Sequence, residues 1–149
     1  MERRYAIGGV SSTIARASHR MSPTIRGYAA VFYVRGKPET EFVLWDDQYG
    51  KAVERLHPDT FDRALRERDD VRALFNHDAN QILGRTSSGT LRLRSDHIGL
   101  RYEVSLPKHA AWLDESIARR DVTGSSFAFN VGPLDEVWSQ EQDATGRTI

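Results

Sequence analysis

Cysteine is absent from this chain of 149 residues, so disulfide frameworks, thiolate metal sites and cysteine nucleophiles are all excluded. Net charge is missing too. The 21 basic and 21 acidic residues cancel, and nothing in that balance favours nucleic acid or an anionic membrane. No apolar run approaches the roughly 20 residues a membrane helix needs, and no signal-peptide core follows the basic start. Paired histidines at ligand spacing do not occur, which argues against a metal hydrolase and against a metal cofactor. What remains, 39% apolar and 28% charged, is the composition of one soluble globular domain with a cytoplasmic site of action as the default.

Residues 1–23 carry Arg3, Arg4, Arg16 and Arg20 among serines, with Gly8-Gly9 and no sustained apolar period, and read as a flexible or loosely docked arm. Patterning begins at residue 24, so 24–149 reads as a single domain. Thr24 to Val34, rich in β-formers around Gly27, predicts a first strand. Gly36-Lys37-Pro38 turns the chain into a short strand at Glu41 to Trp45, followed by a polar loop from Asp46 to Lys51. Pro58-Asp59 opens a helix of about three turns to Arg68 that lays Phe61 and Leu65 on a sheet. Val71 to Phe75 is a strand that delivers Asn76-His77-Asp78 at its far end.

Three further strands, Ile82 to Thr86, Thr90 to Arg94 and Leu100 to Leu106, are separated by turn-rich segments and predict an antiparallel meander. In the last of them Leu100, Tyr102, Val104 and Leu106 alternate with Arg101, Glu103 and Ser105, giving one buried and one wet face. Pro107 then opens a helix to about Arg120 with Ala110, Leu113 and Ile117 on one side. The chain next runs into Val122-Thr123-Gly124-Ser125-Ser126-Phe127-Ala128-Phe129-Asn130-Val131. As a strand this puts Phe127, Phe129 and Val131 on one face and Ser126, Ala128 and Asn130 on the other. Burying the aromatic side leaves Ser126 on the opposite face near Gly124, where no Cβ blocks an approaching backbone. Ser and Gly are also ordinary turn residues, so this stretch alone does not make a site. Past Gly132-Pro133, Arg147-Thr148-Ile149 reads as the start of a strand that is not completed, as if the chain stopped inside the fold.

A serine hydroxyl is a weak nucleophile at neutral pH and needs a base, usually an imidazole held by an acid. Five histidines are candidates. His19 lies in the arm, His57 at a helix entrance, His97 in a meander turn and His109 on a first helical turn. His77 alone ends an apolar strand, which by itself is more often structural than catalytic.

The ordered series Arg26-Gly27-Tyr28-Ala29-Ala30-Val31-Phe32, Pro58-Asp59-Thr60-Phe61-Asp62, Phe75-Asn76-His77-Asp78, Ile82-Leu83-Gly84-Arg85, Gly89-Thr90-Leu91, Gly99-Leu100 and Val122 to Phe129 resembles the HK97-type prohead proteases of tailed bacteriophages. The similarity runs from about residue 26 to 131, and the ordered set is far more specific than any one piece. It implies a serine endopeptidase of mostly β, α+β class, with the antiparallel β-barrel of the herpesvirus assemblins, flanking helices and a C-terminal strand or strands missing here. It also implies action inside the phage procapsid in the bacterial host cytoplasm. There such enzymes remove the scaffolding segment of the major capsid protein and cleave themselves, sometimes as homo-oligomers.

The family's Gly-x-Ser-Phe pattern falls on Ser126 rather than Ser125, and its histidine falls on His77. Its third member, an acid well downstream of the serine, has no counterpart before Ile149. Among residues present, Glu103 is the preferred orienting acid; Asp78, Asp135 and Glu136 are the others. A non-catalytic capsid-assembly or scaffold-binding barrel would use the same hydrophobic alternation. A nucleic-acid surface would have to come from Arg85, Arg92, Arg94 and Arg101, which a solvated sheet face explains as well.

Overall fold

A computed structural model describes residues 22–140 and 145–149 in full, and residues 2–6 and 11–13 by their backbone alone. Chain order is β1 (Glu2–Ala6), β2 (Ser11–Thr13), β3 (Thr24–Val31), β4 (Phe42–Asp47), β5 (Gly50–Arg55) and α1 (Asp62–Glu67). Then follow β6 (Arg72–Leu74), β7 (Ile82–Arg85), β8 (Leu91–Ser95), β9 (Gly99–Ser105), α2 (Trp112–Ala118), β10 (Ser125–Phe129), β11 (Val137–Gln140) and β12 (Thr145–Thr148). The protein is mostly β with few helices, as the alternating patterns predict.

The strands form two four-stranded sheets, β2-β3-β9-β8 and β11-β12-β5-β4, and two pairs, β6-β7 and β1-β10. These are not closed into the barrel that the family resemblance implies. Neighbours run antiparallel except β12 and β5, which are parallel. Of the segment expected to be a loose arm, β1 and β2 pair with β10 and β3, and its remaining residues up to 21 lie outside the described ones.

Two apolar clusters hold the sheets together. In the first, Ala110, Leu113 and Ile117 of the α2 region pack on Ile25, Leu83, Leu91 and Val104. Their spacing of three and four puts all three on one helical face, as read from the sequence. The second gathers Ala30, Phe32, Leu56, Leu100 and Phe127, with Phe61 and Leu65 of the α1 region against it. A buried Phe or Leu in such a cluster stabilises by about 1.5–3 kcal/mol, which favours one register of each strand over its flipped alternative.

Several local expectations change. The three-turn helix shortens to α1 at its start: residues 58–61 form turns, with the Thr60 N–H on the His57 carbonyl and the Asp62 N–H on that of Asp59, and the helix then runs from Asp62 to the left-handed Arg68, φ 56°. The Pro107 helix begins as a 3-10 turn at Lys108–Ala110 before α2. The polar loop at 46–51 is instead a hairpin, with β4 and β5 meeting at Asp47↔Gly50. Only β8 and β9 form the expected meander. β7 pairs with β6, and at Gly84 it crosses so close to the start of β8 that an added Cβ would lie 2.9 Å from the Thr90 carbonyl oxygen. The final segment pairs as β12, between β11 and β5.

Gly99 marks a second close approach. A Cβ there would fall 2.0 Å from the Ala30 carbonyl oxygen and 2.8 Å from Val31 Cα, backbone atoms that cannot swing aside. Gly99→Ala is therefore expected to cost about 1–3 kcal/mol, at the scale of core overpacking. Urea unfolding should show a lower midpoint at unchanged slope; an unchanged midpoint would mean that β3 and β9 have room to separate.

Candidate active site

β10 places its residues by alternation. Phe127 is buried, with ring centroids 5.9 Å from both Phe42 and Phe61 in edge-on geometry and 5.0 Å from the stacked Phe129. Such aromatic pairs add about 0.5–1.5 kcal/mol each beyond burial. With the odd-numbered residues held inward, Ser126 and the exposed Ala128 face the other way. Ser126 is half-buried, and no described atom lies within 4 Å of where a Cβ on Gly124 would be.

His77 reaches the same place from a tight turn after β6. Asn76 and His77 have φ of 50° and 56°, and the Asp78 N–H donates to the Phe75 carbonyl at 3.0 Å. Positive φ at both central residues is the pattern of a type I′ turn, in which Asn is favoured and His tolerated. Two more backbone bonds, Gln81 N–H to Asp78 O at 2.9 Å and Phe75 N–H to Gln81 O at 3.0 Å, close the loop on itself. The turn thus fixes the backbone that carries the imidazole. Ser126 Oγ and His77 Nε2 are in hydrogen-bond contact. With the ring proton on Nδ1, Ser126 donates and Nε2 accepts, the relation in which an imidazole takes a hydroxyl proton.

Each acid weighed as the third member is engaged elsewhere. Glu103 sits between two guanidiniums, with Arg26 Nε at 2.9 Å and Arg92 at 3.6 Å; β3 and β8 place both arginines directly opposite it. Asp78 accepts from the Asn80 backbone at 2.9 Å and its side-chain amide at 3.1 Å. Asp135 takes a forked bond from Arg63, which holds its carboxyl below the usual range. Glu136 pairs with Arg147. Of the other histidines, His19 lies outside the described residues, His57 Nδ1 lies 3.4 Å from an Asp59 carboxylate oxygen, and His97 and His109 are exposed. No group of metal-ligating side chains occurs among the described residues.

The sequence did not point to Ser125, whose hydroxyl donates to the Tyr28 carbonyl at 3.1 Å and lies 3.3 Å from the Tyr102 hydroxyl. Gly27 was the available signal. It faces Tyr102 across β3 and β9, and a Cβ on it would come within 2.8 Å of the phenol oxygen. That register is invisible in a single sequence.

Searches against curated proteins and against solved structures each returned no match. The model of one family, described as caudovirus prohead serine protease, matches residues 11–149.

Proposed function

The chain belongs to the caudovirus prohead serine protease family, whose model spans nearly all of it, and from that membership we propose that Ser126 and His77 form its catalytic pair. One observation carries the assignment: a hydroxyl and an imidazole 49 residues apart meet in a single hydrogen bond, in a family that works by a serine nucleophile. In this reading Ser126 Oγ attacks the scissile carbonyl carbon while His77 Nε2 takes its proton. As the tetrahedral adduct collapses, the imidazolium returns that proton to the departing amine, leaving an ester on Ser126. Water, deprotonated by the same imidazole, then cleaves the ester.

The substrate is an extended polypeptide, the scaffolding segment of the major capsid protein, and the protein also trims itself within the procapsid. The absence of a side chain at Gly124 suits the close approach of a substrate backbone. Glu103 remains with its arginines, and the turn from Phe75 to Asp78 fixes the backbone from which the imidazole projects. The four sheets are then segments of an assemblin-type barrel wall.

Co-expression with the cognate capsid protein tests this. The unaltered chain is expected to shorten the capsid protein and Ser126→Ala to leave it whole. Continued trimming by the alanine variant would remove Ser126 from the mechanism. If neither chain trims it, and neither reacts with a fluorophosphonate, the protein is a non-catalytic assembly module.

A further inference from the structure

The backbone of β10 is bonded as a strand only to β1 among the described residues, yet the nucleophile has to keep a fixed distance from a turn at the end of β6. Something must register β10 against the larger sheet. The side chain just before the nucleophile does so. Ser125 Oγ has one proton, which goes to the Tyr28 carbonyl, at the irregularity where the β3–β9 ladder slips between Tyr28 and Ala30. Its remaining capacity is as an acceptor, so the Tyr102 hydroxyl is the donor across 3.3 Å. Burial pushes the Tyr102 phenol up, which keeps that proton on oxygen throughout the working range. The ring reaches Ser125 by lying across Gly27, where any Cβ would collide with it.

We propose that Tyr102 and Ser125 are positioning residues, a two-hydroxyl pin from β9 through β10 to the β3 carbonyl that aims Ser126 at His77. This rests on the reading of Ser126 as the nucleophile. Ser125 and Ser126 point to opposite faces of one strand, so any roll of β10 that breaks the Ser125 bond swings Ser126 Oγ in the opposite sense. Misplacement by about 1 Å can cost on the order of 10²-fold in rate, and partial loosening costs less.

The probe is a fluorophosphonate, which reacts with a serine hydroxyl only when a base activates it, and the readout separates its maximal labelling rate from its half-saturating concentration. Tyr102→Phe and Ser125→Ala are expected to lower the maximal rate about ten-fold while changing half-saturation less than two-fold. Gly27→Ala should reproduce this by displacing the ring from the other side. Ser125→Thr, which keeps the hydroxyl, should recover most of the rate. The pH midpoint of labelling should stay put, because the base is unchanged. Labelling within two-fold of the parent in Tyr102→Phe and Ser125→Ala overturns the pin, as does a slowing in Tyr102→Phe that is matched by an equal loss of folded protein in a urea melt, since the pin slows labelling of the folded chain. If the parent chain itself is not labelled, while a known serine protease in the same tube is, the catalytic assignment fails and the pin with it.

Discussion

His77→Gly is expected to fold at least as firmly as the parent and to lose catalysis by about 10⁴-fold or more. The two halves have separate causes. An L-residue held at positive φ costs roughly 1–2 kcal/mol, which glycine relieves, against about 0.5–1 kcal/mol for glycine's greater freedom when unfolded. Stability should therefore change by about 0–1.5 kcal/mol in the favourable direction. On the proposed reading, removing the imidazole deletes the base; in the serine-protease template, loss of a triad member costs 10⁴-fold or more. Urea melts and labelling rates on the same preparation read both numbers, and added imidazole should restore part of the rate by filling the vacated space. Parent-like labelling would hand the base role to another group. A loss of several kcal/mol would mean that the side chain supports the turn rather than straining it.

Arg147→Met is expected to destabilise the protein by about 3–5 kcal/mol. Glu54 on β5 is fully buried, at 0% exposure, and Arg147 on β12 lies beside it at 2.9 Å. The parallel pairing of the two strands sets them side by side at Arg147↔Glu54. Arg147 also bonds Glu136 and lies 5.5 Å from the Trp138 ring centroid. Withdrawing the guanidinium removes a cation that lies 2.9 Å from a buried carboxylate, and breaking such a pair from one side costs about 3–5 kcal/mol. Removing both charges is far milder, so Glu54→Leu combined with Arg147→Met should recover most of the loss. The check is a double-mutant cycle in urea; a single-variant loss below about 1 kcal/mol would mean that water reaches Glu54.

Much of this was legible in the residues because it depends on near neighbours. Alternation through Phe127 and Phe129 assigns the faces of β10 before any coordinates, and the spacing of Ala110, Leu113 and Ile117 assigns the buried side of α2. Lengths were less legible. Nothing local says that residues 58–61 will stay in turns and delay the start of α1 to Asp62, and the polarity of 46–51 hides a hairpin. Pairing was the least legible. That β7 leaves β8 for β6, that β12 lies between β11 and β5, and that Tyr102 sits over Gly27 are all facts of register between distant segments. For the same reason the ordered motifs brought Ser126 and His77 forward together, whereas Ser125, an ordinary turn-type residue one position earlier, drew no attention.

The pairing of β1 with β10 also has a temporal side. Glu2–Ala6 is made more than a hundred residues before Ser125–Phe129, a lead of roughly ten seconds at 5–20 residues per second. Until β10 is made, β1 lacks its strand partner and, on the proposed reading, the chain still in synthesis carries no nucleophile.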